Sequence, residues 1–233
     1  MNERDLPLGI HHVTAMTSDV VKNYEFFTEV LGMRLVKKTV NQDDIHTYHT
    51  YYGDDTGSPG TAMTFFDFPN NPKGIKGTNA ITRTSFRVPN DASLEYYQER
   101  FAKFDVKHEA ITTEFGKKVL RFWDFDEQAY QLISDENNVG MKPGTPWKKG
   151  PVPEKFAIYG LGPVEITVSY FNDFKEIFEE LLSFEEIAQE GNRYLLEVGE
   201  KGNGAQVVLI EDATQNIAQQ GYGEVHHFAL RLK

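Results

Sequence analysis

The chain has 233 residues, 39% hydrophobic and 25% charged, with a net charge of −11. That is enough for one large or two small packed domains, and too acidic to attract a phosphate backbone. Cysteine is absent, which excludes disulfides, thiolate nucleophiles and cysteine-held zinc; any metal must be held by His, Asp and Glu. No apolar run reaches the length of a membrane span, and the charged opening MNERDLPLG lacks a signal core. The expectation is a cytoplasmic protein with no nucleic-acid or membrane partner.

Residues 9–17, GIHHVTAMT, read as a strand, and 18–32, SDVVKNYEFFTEVLG, as a helix. Ser18 or Asp19 can cap its start, Val20, Tyr24, Phe27 and Leu31 recur at helical spacing, and Gly32 stands where a C-terminal glycine belongs. Three strand-like runs follow, MRLVKKTVN, DIHTYHTYYGD and TAMTFFDFP, with the turn signal GDDTGSPG between the last two. The order then repeats. AITRTSFRVP is a strand, and NDASLEYYQERFAKF a helix with Leu94, Tyr97, Phe101 and Phe104 on one face. VKHEAITTEFG, KKVLRFWDFD and QAYQLISDE give three more strands. After a Pro/Gly-rich stretch, GLGPVEITVS is a strand, and YFNDFKEIFEELLSF a helix on Phe174, Ile177, Phe178, Leu181 and Leu182. EEIAQEG, RYLLEVGE and AQVVLIED complete a third unit, and GEVHHFALRLK opens a fourth. The expected class is α+β: three complete βαβββ units plus the first strand of another. Residues 1–138 would hold an N-terminal pair of units (about 9–70 and 79–136), 139–156 a linker, and 157–233 the third unit with the start of the fourth.

The repeat singles out the histidines. Counting back seven residues from Asp19 at the first helix reaches His12; the same count reaches Thr84 or, one position off, Arg83 in the second unit, and Ile166 or Glu165 in the third. The fourth strand offers His226 and His227 there. A strand alternates faces, so His11 and His12 should point apart. Each pair could be ordinary core or edge histidines. Two pairs at equivalent places of a repeat point instead to metal, provided the first and last units pack side by side. Imidazole suits Fe, Zn, Cu or Ni, and two His with one carboxylate is a non-heme Fe(II) arrangement.

The heads of the repeat, with GIHHVTAMTSD, YHTYYGDDTGSPGTAMTFF and GEVHHFALRL, resemble the vicinal oxygen chelate superfamily: glyoxalase, bleomycin-resistance protein and extradiol dioxygenase. Within it they are similar to the ring-cleaving dioxygenases that act on hydroquinones. The resemblance implies units curled into paired half-barrels with a metal in one cup. It makes His12 and His227 metal ligands, with His11 and His226 behind them or acting on a phenolic oxygen as catalytic groups. Fe(II) is the implied cofactor, with Mn or Zn as alternatives; a small aromatic substrate and O2 are the implied partners. The third ligand, a glutamate on the last strand of the fourth unit, would fall beyond Lys233, and open strand edges would favour self-association. Asp67 is the nearest substitute carboxylate, though it reads as a turn residue. Glu224 could join His227 only through a bulge. His49 is a further candidate base, and aromatics of TYHTYYG and TFFDF could line the cup, about half of them facing away. Two alternatives stand beside the dioxygenase: a glyoxalase-like isomerase or thiol transferase, which would want Glu or Gln on TAMTFFDFP, and a metal-free module that binds aromatic ligands.

Overall fold

A computed structural model describes residues 6–41 and 44–232; the opening MNERD and Lys233 lie outside it. The first unit comprises β1 (Pro7–Met16), α1 (Val20–Glu25), β2 (Arg34–Val40), β3 (Tyr48–Gly53) and β4 (Ala62–Phe66). The second comprises β5 (Ala80–Val88), α2 (Asp91–Lys103), β6 (Thr112–Glu114), β7 (Lys117–Trp123) and β8 (Ala129–Ser134). The third has β9 (Gly160–Val168), α3 (Phe171–Glu176), β10 (Glu185–Glu190), β11 (Arg193–Glu197) and β12 (Gln206–Glu211), and β13 (Val225–Leu232) follows. The mixed α+β architecture of strand-rich half-barrels is the one expected.

The helices begin where the sequence placed them. Asp19 accepts from the amides of Val21 and Lys22, and Asn90 accepts from Ser93, so each side chain satisfies donors that a helix start leaves open. Gly32 takes φ +74° at the first helix's end, a left-handed turn that costs a residue without Cβ little. One detail differs. α1 runs into a π turn, Phe26–Val30, which adds a residue to the turn and rotates the apolar stripe. Phe26, Phe27, Val30 and Leu31 are therefore buried, whereas Tyr24 faces out. α3 ends in the same way at Ile177–Leu181, leaving Ile177 and Leu181 exposed and Phe178 buried. Phe104, one residue past α2, is also exposed.

The strands form two sheets, ordered β13-β1-β4-β3-β2 and β10-β11-β12-β9-β5-β8-β7-β6. This differs from the expected pairing of the first and second units. The first strand of each unit has one edge taken by its own last strand, in parallel, as β1 with β4 and β5 with β8. Its other edge takes another first strand, antiparallel: β5 takes β9, and β1 takes β13. The second unit thus shares a sheet with the third, and the first with the final strand. Residues 139–156 carry no helix or strand but are tied down. Thr145 N donates to Asp54, Met141 N to the Lys201 carbonyl, and buried Arg87 to the Met141 carbonyl.

Each sheet packs one face on its helices. Val13 and Ala15 of β1, Tyr52 of β3, and Met63 and Phe65 of β4 share one buried cluster with Phe27, which stacks on Tyr52 at 4.9 Å and lies 4.8 Å from Phe65. Burial of such rings contributes about 1.5–3 kcal/mol each. The residues between them, His12, Thr14, Tyr51 and Thr64, necessarily project to the opposite, polar face.

Candidate active site in the first half-barrel

The histidine pairs sit on bulges. Along the β1–β13 ladder, Ile10 pairs with Leu230 and His12 with Ala229, leaving His11 as the extra residue. Farther on, Thr14 pairs with His227 and Ala15 with Val225, leaving His226 as the extra residue on the other strand. A bulge interrupts strict alternation, so the expectation that neighbouring histidines point apart does not hold. His11 Nδ1 lies 2.9 Å from His12 Nδ1, and His226 Nδ1 lies 2.8 Å from His227 Nδ1.

The two second histidines face each other across the strand pair, with His12 Nε2 3.3 Å from His227 Nε2. Two imidazole nitrogens on one ion, each about 2.0–2.1 Å from it, stand roughly 3 Å apart when adjacent in its coordination sphere. Burial, with His11 and His227 close by, pushes the His12 imidazole down to about 4. His227 is also lowered, by burial and then by His226. At neutral pH His12 and His227 therefore present uncharged rings, the form that binds metal.

The register extends the polar face into a row across the sheet: Lys37 on β2, Tyr51 on β3, Thr64 on β4, Thr14 on β1 and His227 on β13. Its hydroxyls are joined. Thr14 Oγ1 lies 3.1 Å from His227 Nε2 and 2.8 Å from Thr64 Oγ1, which lies 3.0 Å from His49 Nε2. Tyr51 Oη completes the chain, 2.8 Å from His49 Nδ1. Burial, then the nearby His12 and Lys37, hold His49 down to about 4. The sequence reading missed Thr14 and Thr64. A polar residue two positions from a candidate ligand on a strand was the available signal, since i and i+2 share a face.

The aromatics divide as period two requires. His49 and Phe66 pack together at 4.3 Å on the polar face, and Phe66 meets the His226 ring edge-on at 5.8 Å; Tyr52 and Phe65 belong to the core. Beside β13 lies a cavity of about 330 Å³ lined by His226, His227, Phe228, Tyr170, Phe174 and Ile81, among others. Tyr170, Phe174 and Ile81 come from the second sheet and its helix, so this cavity spans the junction of the two half-barrels.

The substitute carboxylates are engaged elsewhere. Asp67 accepts from the amide of Tyr48, and Glu224 pairs with Lys76 at 2.8 Å. Among the described residues no group of three His, Cys, Asp or Glu side chains could hold an ion; His12 and His227 fit as two ligands, without a third from these residues. His46 is exposed, and His108 packs on Phe101 away from the site.

Residues 9–132 match the family described as Glyoxalase/Bleomycin resistance protein/Dioxygenase superfamily. Over 230 residues the chain is 41% identical to "Putative ring-cleaving dioxygenase MhqA" of Bacillus subtilis (strain 168), covering 97% of this chain and 72% of that protein. It is 27% identical to the chlorohydroquinone/hydroquinone 1,2-dioxygenase of Sphingobium indicum, covering 96% and 70%. A Bacillus subtilis crystal structure described as a dioxygenase superposes with a TM-score of 0.87 at 29% identity, covering 97% and 70%. Glyoxalase I of Zea mays, at 14% identity and a TM-score of 0.67 over 95% and 73%, shares the fold. The chain belongs to the glyoxalase/bleomycin resistance protein/dioxygenase superfamily, among relatives named as ring-cleaving dioxygenases.

Proposed function

We propose that the chain opens the ring of a hydroquinone- or catechol-type aromatic with O2, using Fe(II) held by His12 and His227. The observation that carries this reading is the pair of opposed, uncharged Nε2 atoms 3.3 Å apart, the second of them on His227, which lines an aromatic-walled cavity. Bound there, the ion would couple electron flow from the electron-rich ring to O2. The protein's own contribution is orientation and proton handling. His11 and His226 contact the Nδ1 atoms of the two proposed ligands, which would orient both rings so that Nε2 faces the ion. His226 also lines the cavity, where it can take a phenolic proton; His11 is the corresponding group on β1. Phe228, Tyr170 and Phe174 supply apolar surface beside the histidine pair. A third, carboxylate ligand is part of the proposal and is not assigned to any described residue.

The relatives' names favour a dioxygenase over an isomerase or thiol transferase, and the residue on β4 at the centre of the polar row is Thr64, not Glu or Gln. The test is metal analysis of anaerobically purified, Fe(II)-loaded protein beside a His12→Ala/His227→Ala double variant, followed by oxygen uptake with hydroquinones. Near-stoichiometric iron in the first alone, with hydroquinone-dependent uptake, is the expected result. Zinc or manganese held in place of iron, without uptake, would favour the isomerase reading; equal, negligible metal in both would favour metal-free ligand binding. We also propose self-association through β13, whose outer edge ends its sheet; sedimentation of a clean monomer would remove that element.

A further inference from the structure

A second cavity, of about 270 Å³, opens on the polar face of the first half-barrel two strands away from His12. Its walls include Lys37 and Thr39 of β2, His49 and Tyr51 of β3, and Phe66 of β4. The register explains the grouping. Lys37 stands opposite Tyr51, and Thr39 opposite His49, which itself stands opposite Phe66. All five therefore share the face that carries Thr14, Thr64 and His227.

The chemistry of this cavity differs from that beside β13. The His49 ring lies 4.1 Å from the Tyr51 ring and 4.3 Å from Phe66, forming an aromatic wall. Lys37 Nζ hangs over Tyr51, 5.3 Å from its centroid. No carboxylate among the described residues lies within ion-pair distance of Lys37, although the chain carries a net charge of −11. An exposed lysine without an acidic partner, held over a ring on an acidic protein, is a local positive spot on a negative surface. The wall is joined to the histidine pair through His49, Thr64 and Thr14. From β1 to β3 is two strand spacings, about 10 Å, the scale of an aromatic ring carrying a short side arm.

We propose that this cavity is a substituent subsite: a ring anchored at His12 and His227 places an acidic side arm between Lys37 and the His49–Tyr51 wall. The ligand class is then a dihydroxy aromatic bearing a carboxylate on a short arm. Lys37 is the specificity-determining residue, and His49 and Tyr51 position the arm. The assignment rests on the proposed function, because the ring's anchor is the histidine pair.

Anaerobic calorimetry on the Fe(II)-loaded protein tests it, since exclusion of O2 leaves binding as the readout. The probes are 2,5-dihydroxyphenylacetate and uncharged ethylhydroquinone, titrated into the unmodified protein, Lys37→Met and Lys37→Arg. An exposed ion pair of up to roughly 1 kcal/mol predicts tighter binding of the carboxylate by up to about fivefold. That preference should vanish in Lys37→Met, persist in Lys37→Arg and shrink as salt is raised. Lys37 is exposed, so the variants report on binding and not on folding. Equal affinity for the two probes, or a preference untouched by Lys37→Met, would overturn the subsite and leave the ring-binding reading intact. Failure of both probes to bind would remove that reading and the subsite with it.

Discussion

The two half-barrels repeat one backbone device with opposite chemistry. In the first sheet a bulge at His11 precedes His12; in the second, the β5–β9 ladder skips Thr82 between Ile81 and Arg83. Arg83 thus stands where His12 does, directly opposite Glu165, as His12 stands opposite Ala229. Arg83 Nε donates to Glu165 at 3.2 Å, Arg193 bonds both Glu165 and Glu114, and Arg121 holds Glu114. The second cup is thus filled by its own ions, whereas the first presents uncharged imidazoles and hydroxyls to a cavity. The comparison teaches that the bulge places a side chain at the centre of a cup, and that the residue type following it decides whether the cup braces the fold or stays free for a ligand.

That contrast can be broken from either side. The largest effect is expected in the ion-filled cup, where Glu165→Ala removes a buried carboxylate and leaves the half-buried Arg83 and Arg193 short of a counter-charge. Such losses cost about 3–5 kcal/mol, whereas replacing both members of a buried pair by apolar residues is often close to neutral. Urea unfolding of Glu165→Ala beside Arg83→Met/Glu165→Leu should show that ordering. Equal losses in the two would mean that the cup is held by packing and not by charge. In the other cup, His12→Ala/His227→Ala should lower Fe(II) affinity at least about 100-fold, beyond the 10- to 100-fold typical of outer-shell partners. Its stability should change far less than that of Glu165→Ala.

A third expectation concerns the seam between the cups. Thr17 and Ser18, just ahead of α1, donate to Asp126 in the β7–β8 turn, beside buried Asp124. Burial, and then the neighbouring Asp126, push the Asp124 carboxyl up to about 7. Its folded value lies above its unfolded one, so its favourable contribution is complete below pH ~4 and is lost as pH rises through about 7. Asp124→Asn should therefore stabilise the protein at pH 8, by on the order of 2–4 kcal/mol at most, and do little at pH 4. Melting curves at the two values check this, and an equal effect at both would assign Asp124 a purely steric role. The smallest effect belongs to Thr64→Val, which cuts the hydroxyl chain between His49 and His227 at a cost of about 1 kcal/mol. Its sharper readout is the histidine ring resonances, where the His49 and His227 signals should both move.

Most of this arrangement was legible as spacing. The seven-residue count from each helix start named His12 and, in the other units, Thr84 and Ile166, with Arg83 and Glu165 one position off; it is the latter two that meet in an ion pair. The bulges were not legible, because a doubled histidine reads as strict alternation until a partner strand shows which residue is extra. The same limit hid the pairing of the second unit with the third. Local patterns define a strand's faces but not whose edge it joins, and β1 finds β13 across nearly the whole chain. The π turns were hidden for a related reason. Val20, Tyr24, Phe27 and Leu31 fit a 3.6-residue period, and one extra residue within the helix carried Tyr24 out to solvent.

His12 and His227 are 215 positions apart, yet their rings touch. A contact of that span closes a very long loop, and long-range strand pairing is the slow part of folding. The two staggered bulges narrow the choice further, since sliding β13 along β1 by one residue would set each extra residue against the wrong partner. The centre should therefore appear late, in a chain already closed in its correct register. An ion that needs both rings would bind that state alone and stabilise it in proportion to the logarithm of its concentration. Iron uptake during refolding would then serve as a clock for β1–β13 closure, lagging behind the recovery of helical signal.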